Sequence, residues 1–334
     1  MKEETITNKL ACPTDRRPFG QDDISGAEWQ GSRIFKARLC CPDCQTAYPI
    51  QDGIAFLLPP HLSLHSLSEQ TARDEDATGY EKTKAPYETK QERKALYQGV
   101  NFSSHTVVVD IGAGPGKRYT HDLAQRAGQV VAIDLSPEML LLNATIAQTT
   151  LPPDVASRID YVVADATALP LQPKKFDVAL FAQVLEHLKP ETHVACLTDI
   201  KNSLTPEGHL AMSVYNLKAT GRDIRRHPAD IFSLVIGTFP DEHRGNFRSG
   251  YHDLNGEKEK LYYYNFTSPE LYQALCKAGF TVDRITGILS LPQQLPSILR
   301  AMLDPVLTNR IPTFACNRGQ FLVAHATPSF TSIN

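Results

Sequence analysis

The clearest order in the chain lies between residues 106 and 182, where near-continuous runs of β-branched and apolar residues alternate with segments of helical pattern. Val107-Val-Val-Asp110, Val130-Val-Ala-Ile-Asp134, Tyr161-Val-Val-Ala-Asp165 and Phe176-Asp-Val-Ala-Leu-Phe181 are runs of this kind. Such strands belong to a parallel sheet covered on both faces. Between and after them the pattern predicts helices near Lys117 to Ala127, from Pro137 and from Glu191. Ser136-Pro137-Glu138 offers the second helix an N-cap and a first-turn proline. A helix at Pro269 to Ala278, a strand at Phe280 to Thr286 and a last strand at Gln320 to His325 complete the sheet. A Pro- and Leu-rich stretch, Leu289 to Pro312, separates the last two strands.

The flanking segments lack this rhythm. Residues 1–60 read as short strands and turns, with Arg33 to Leu39 strand-like and an Asp-Gly turn inside the apolar run Tyr48 to Leu58. From His61 to Ser104 the chain is polar and charged, with a helix predicted at Glu88 to Tyr97, so it reads as a linker with one or two helices. Asn216 to Phe266 breaks the later alternation with Gly, His, Arg and Tyr. The expected organisation is a small module over 1–60, a linker with helices over 61–100, and an α/β domain over 101–328 with an insertion at about 216–266. A length of 334 residues agrees with about two domains.

Composition narrows the class. Hydrophobic residues make up 42% and charged residues 21%, as in ordinary globular proteins. No apolar run approaches the ~18 residues of a membrane span, and the start Met-Lys-Glu-Glu is no export signal, so a cytoplasmic protein is expected. A net charge of -3 argues against a broad basic surface for nucleic acid. Seven cysteines in such a chain make a disulfide framework improbable, and Cys12, Cys40, Cys41 and Cys44 crowd into the first 44 residues. Cys196 and Cys276 fall on helices, and with Cys316 their expected state is burial.

The strongest chemical signal is Val107-Val-Val-Asp-Ile-Gly-Ala-Gly-Pro-Gly116, a buried strand running into glycines 112, 114 and 116 and then a helix. Glycine is needed where the turn is tight and a ligand approaches the backbone. Asp134, at the end of the next strand and 20 residues after Gly114, can accept both hydroxyls of a ribose. A phosphate-gripping loop is excluded, because Lys117 is followed by Arg118 rather than Ser or Thr.

Asp110-x-Gly112-x-Gly114-x-Gly116, Asp134-Leu-Ser-Pro-Glu-Met139, Asp165-Ala-x-x-Leu-Pro170 and Phe176-Asp-Val-x-x-x-x-x-Val-Leu-Glu-His187 resemble, in order and spacing, the successive motifs of class I S-adenosylmethionine-dependent methyltransferases. The resemblance spans about residues 100–328. It implies a seven-stranded, mostly parallel, Rossmann-like sheet with helices on both faces, and S-adenosyl-L-methionine as cofactor. It further implies Gly112, Ala113, Gly114 and Gly116 under the methionine part, Asp110 near its amino group and Asp134 on the ribose. Leu135 and Met139 would flank the adenine, Asp165 would accept from its exocyclic amine beside Ala166, and Gln183 would close over the cofactor. Alternative readings stay open: Met139 as plain core, Asp165 as a carboxylate capping a turn.

Methyl transfer needs the nucleophile held in line with the methyl rather than covalent help. No Asn/Asp-Pro-Pro-Tyr follows the fourth strand, where the chain reads Ala182-Gln-Val-Leu-Glu186, which speaks against nucleobase amines as acceptors. His187 is a candidate general base, or else a residue shaping the pocket floor. Arg222, Arg225, Arg226, His227, His243, Arg244, Arg248, Tyr251, His252 and Tyr262 to Tyr264 offer cationic and aromatic groups for an acidic or aromatic substrate, or for RNA, unless they form a solvated lid.

Cys41-Pro-Asp-Cys44 puts two thiolates at the spacing that reaches one tetrahedral metal, and Cys12-Pro-Thr-Asp15 supplies a matching pair. The surrounding residues, Leu10-Ala-Cys-Pro13 and Leu39-x-Cys-Pro-x-Cys-x-x-x-Tyr-Pro-Ile-x-Asp-Gly-Ile54, are similar to the small zinc-ribbon activators of tRNA and release-factor methyltransferases and their fused relatives. That resemblance implies a β-rich ribbon binding zinc through Cys12, Asp15, Cys41 and Cys44, with Asp15 where most ribbons carry a cysteine. The expected function is methyl transfer to an O, N or C nucleophile of a small biosynthetic molecule. The alternatives are an RNA methyltransferase using the ribbon for its substrate and a non-catalytic cofactor-binding scaffold. No partner protein is required by the sequence.

Overall fold

Alternation sets the first strands. In the computed structural model β1 (Ile24–Gln30) pairs antiparallel with β2 (Arg33–Cys40), whose Ile34, Ala37 and Leu39 point into the core, and β3 (Ala47–Gln51) adds to the other side of β2. β4 (Ile54–Phe56) folds back on β3 across Asp52-Gly53, both at positive φ of 52° and 75°, the turn that matches strand twist. The structure describes residues 1–80, 86–217, 251–254, 257–260, 262–289, 297–310 and 319–329.

The apolar runs of the middle of the chain are β5 (Val107–Ile111), β6 (Gln129–Asp134), β7 (Ile159–Val163) and β8 (Phe176–Ala182), all parallel, followed by β9 (Leu204–Tyr215). β12 (Phe280–Ile288) and β13 (Phe321–Pro328) close the edge, with β13 antiparallel to both β9 and β12. The order β7-β6-β5-β8-β9-β13-β12 is the Rossmann-like sheet expected from the motifs. It continues further than expected. β4 pairs in parallel with β7, Ile54 opposite Tyr161 and Phe56 opposite Val163, so residues 1–60 extend the same sheet to eleven strands.

Helices cover both faces. On one face α1 (Glu3–Lys9), α7 (Pro190–Ser203) and α8 (Ser268–Lys277) contribute Ile6, Leu197, Ile200, Leu271 and Leu275 to the buried cluster that holds Val109, Val131 and Ala179. The opposite face buries Val108, Val130 and Leu180 under Leu96 of α3 (Pro86–Tyr97), Leu123 of α4 (Thr120–Arg126) and Leu140 of α5 (Pro137–Thr150). α6 (Pro153–Ala156) is a single turn. The polar stretch read as a linker holds α2 (Leu64–Tyr80) as well as α3, and the Pro- and Leu-rich stretch holds α9 (Ser297–Arg310). A two-stranded hairpin, β10 (Tyr251–Leu254) with β11 (Glu257–Lys260), lies in the insertion. The cations from Arg222 to Arg248 lie outside the described residues, as does Cys316. Cys196 is buried as expected, but Cys276 is exposed on α8.

One carboxylate ties the N-terminal segment to the sheet. Asp160 of β7 is fully buried and accepts from the Lys2 backbone N at 2.9 Å, Thr5 Oγ1 at 2.6 Å and Gln129 Nε2 at 3.3 Å, and it pairs with the Arg33 guanidinium.

Candidate active site

Ligands in open α/β sheets bind beyond the C-terminal strand ends where the strand order reverses, here between β5 and its neighbours β6 and β8. A cavity of about 240 Å³ opens at that point, lined by Gly112, Ala113, Gly114, Asp134, Leu135, Met139, Asp165, Ala166, Gln183 and His187. Four separate strand ends therefore bring ten of the sequence-selected residues to one pocket. Asp110 and Gly116 stand behind it. Asp110 is buried and accepts from Thr120 Oγ1 at 2.6 Å.

The loop is shaped by backbone bonds. Gly112 N and Ala113 N both donate to Ile133 O, at 2.8 and 2.9 Å, and Gly114 N donates to Asp134 Oδ2 at 2.8 Å. Gly112 has φ of 75°, and an added Cβ would come 2.1 Å from Val184 Cγ2, so glycine is required both for conformation and for space. Asn143 of α5 pins the loop from below, its Nδ2 donating to Gly114 O at 3.0 Å.

Burial governs the two carboxylates. Asp110 is pushed up to about 7, chiefly by burial, with the Thr120 hydroxyl opposing and the Asp134 charge adding. Burial also raises Asp134, against the backbone N–H bonds from Ser136 and Gly114. Asp134 Oδ1 accepts from Ser136 N at 2.9 Å, and Ser136 Oγ accepts from Met139 N at 3.1 Å as the α5 cap. Asp165 Oδ1 accepts from both the backbone N and the hydroxyl of Thr167, each at 2.8 Å, so this carboxylate caps a turn while lining the pocket.

Gln183 has φ of 57°, and its Nε2 donates to both oxygens of Glu92, at 2.8 and 2.6 Å. Glu92, on α3 and 1% exposed, also accepts from Ser213 Oγ at 2.6 Å. A buried carboxylate with three such bonds dictates which end of the Gln183 amide faces which way.

Sequence reasoning missed the share of the pocket that α2 supplies. α2 contributes His65, Ser66, Glu69 and Arg73 to the lining; Tyr215 joins them, as does Tyr263, one of the aromatics singled out from the sequence. Arg73 Nη2 donates to Glu69 Oε2 at 3.0 Å and lies 3.3 Å from His187 Nδ1, while His65 Nε2 lies 2.6 Å from His187 O. The Tyr263 ring packs edge-on to His187 with centroids 4.4 Å apart. Gln70 Nε2 donates to Leu135 O at 2.8 Å, which holds α2 on the start of α5. The available signal was the spacing of His65, Glu69 and Arg73, four residues apart on one helix face.

A second cluster stands in the N-terminal module. The ligand atoms of Cys12, Asp15, Cys41 and Cys44 all lie within 4.8 Å of one another. The Cys12 and Cys44 sulfurs are 3.6 Å apart, and Cys41 Sγ lies 3.2 Å from Asp15 Oδ2. A tetrahedral zinc has edges of about 3.8 Å between sulfurs and about 3.5 Å between sulfur and oxygen, so the donor set fits. The two halves match in backbone too. Arg16 N donates to Cys12 O at 2.9 Å and Gln45 N to Cys41 O at 2.8 Å, and Arg16 and Gln45 have φ of 67° and 61°. The backbone N of Arg17 donates to Asp15 Oδ1 at 3.0 Å, the main cause that lowers the Asp15 pKa. Cys41 is pushed up to about 12 by burial.

Residues 109–212 match the family model described as a methyltransferase domain. Together with the strand order and the converging motifs, that match makes this region a class I S-adenosylmethionine-dependent methyltransferase domain. The fold is shared with solved structures. The DhpI-SAM-HEP complex aligns with a TM-score of 0.51 at 16% identity, covering 80% of this chain and 100% of that one. PH0226 protein from Pyrococcus horikoshii OT3 aligns with a TM-score of 0.50 at 16% identity, covering 78% of this chain and 99% of that one. No curated protein sequence matches this chain. Among the described residues no helix is long and apolar enough to cross a membrane.

Proposed function

We propose that the pocket binds S-adenosylmethionine through Gly112, Ala113, Gly114, Asp134, Leu135, Met139, Asp165, Ala166 and Gln183 and transfers its methyl group to a small molecule. The observation that carries this is the meeting of four strand-end motifs around one cavity of about 240 Å³. Asp134 is the ribose acceptor: its oxygens already receive Gly114 N and Ser136 N, which aims the remaining lone pairs at the pocket. Asp110 and Gly116 act from behind, by buttressing the loop. A bound cofactor supplies an electrophilic methyl, and the chain's own work is orientation and exclusion of water.

A small acceptor is favoured because α2, the turn carrying His187, and Tyr263 line the same cavity of about 240 Å³ as the glycine loop. The module over residues 1–60 acts as a structural extension of the catalytic sheet, stapled by zinc on Cys12, Asp15, Cys41 and Cys44. Calorimetry with S-adenosylmethionine on wild type and Asp134→Ala tests the cofactor reading, and equal affinity in the two would sink it. Labelled cofactor offered with a small-molecule extract or with total RNA tests the acceptor class. Label in precipitable RNA would replace the small-molecule reading with the RNA one.

A further inference from the structure

The pocket holds one buried group that neither the glycine loop nor the strand-end motifs use. Glu69 is only 6% exposed and lines the cavity from α2. Its Oε2 receives Arg73 Nη2 at 3.0 Å, but its Oε1 has no hydrogen-bond partner. A buried carboxylate oxygen without a donor is costly, and native structures keep one where a ligand supplies the missing bond.

The neighbours narrow which ligand group that is. Glu69 sits one helical turn from His65 and one from Arg73, both of which touch His187. α2, the turn after β8 and Tyr263 line this part of the pocket, and none of the three belongs to the glycine loop or to the carboxylates assigned to the cofactor. Arginine only donates, so the 3.3 Å contact from Arg73 places the His187 Nδ1 lone pair against a cation. That lone pair is thus already engaged, whereas Glu69 Oε1 meets no donor.

We infer that Glu69 takes the proton of the acceptor's attacking group, and that this group is a hydroxyl or an N–H. The acceptor's lone pair forms the new O–C or N–C bond as the methyl's bond to sulfur breaks, with both electrons left on sulfur. The acceptor's proton passes to Glu69 Oε1 and from there to water. Arg73 holds the carboxylate in place through Oε2.

The inference rests on the cofactor reading of the pocket, and two probes separate them. S-adenosylhomocysteine is neutral at sulfur, whereas sinefungin carries an ammonium where the methylsulfonium stands. Both are titrated calorimetrically into the full chain, wild type and Glu69→Gln. Wild type should prefer sinefungin. Glu69→Gln should keep S-adenosylhomocysteine affinity within roughly twofold and lose about tenfold or more for sinefungin, the scale of one hydrogen bond to a charged group. If Glu69→Gln does not fold, Glu69→Asp, which keeps the charge and withdraws it by one methylene, is read the same way. Equal losses for both probes, or no loss for either, overturn the inference. A wild type that binds neither removes the cofactor reading and this one with it.

Discussion

Asp160 makes the attachment of the N-terminal module to the methyltransferase sheet measurable. Asp160→Asn keeps the shape but removes the charge and turns one acceptor oxygen into a donor. The fully buried carboxylate would lose its pair with Arg33, whose side chain is 25% exposed, and one of its neutral donors, Lys2 N, Thr5 Oγ1 or Gln129 Nε2, would meet an N–H instead. Breaking a buried ion pair on one side costs about 3–5 kcal/mol, and Arg33 retains Ser157 O at 2.8 Å and Ile159 O at 2.7 Å, which moderates the loss. The expected cost is about 3 kcal/mol in urea unfolding at neutral pH. It should be accompanied by faster hydrogen exchange at Ile34 N, which donates to Met1 O, and at Leu57 N, which donates to Val163 O across the junction. Arg33→Ala added to Asp160→Asn should cost less than Arg33→Ala alone, since the two share one interaction. A loss under about 0.5 kcal/mol with unchanged exchange would refute the claim that this carboxylate anchors the module.

Gly112→Ala should destabilise by about 2–4 kcal/mol, from a left-handed backbone and the Val184 contact, and Gly112→Ala with Val184→Ala should recover only the contact part; full recovery in thermal unfolding would show that the backbone term is absent. His325 is held down to about 4 by burial and by Arg284, so the unfolded chain takes up its proton first as pH falls below about 6.5. Its contribution is therefore present above pH 6.5 and lost between there and pH 4, up to about 3 kcal/mol; His325→Gln should flatten that fall in urea midpoints, and an unchanged slope would count against it. Wild type should carry about one zinc per chain by elemental analysis and Cys41→Ser should carry far less, with a metal-free wild type refuting the site. Glu92→Gln should weaken cofactor binding in calorimetry through a misoriented Gln183, and affinity equal to wild type would show that the buried carboxylate does not set that amide.

What the chain revealed before folding follows from which physical signal each element carries. β5 to β8 were legible because strands buried on both faces must be apolar throughout, and the glycine loop because Gly112 needs a conformation and a clearance that no other residue has. β1 was not, since six of its seven residues, Ser25 to Gln30, are exposed and leave no alternation to read. α2 was hidden for a more instructive reason. Its buried residues are Ser66, Ser68, Glu69, Ala72 and Ala77, small or polar side chains, so a search for apolar periodicity sees only a polar stretch. The continuity of residues 1–60 with the sheet was equally invisible, because pairing of β4 with β7 joins residues more than a hundred positions apart through backbone groups that every sequence possesses. The strand-end motifs, whose chemistry is local, were therefore located together with His187 and Tyr263, and the α2 residues were missed. The difference is one of signal: the strand-end side is written in motifs of fixed spacing, whereas the α2 side is written in His65, Glu69 and Arg73, four residues apart, a spacing that any charged helix can show.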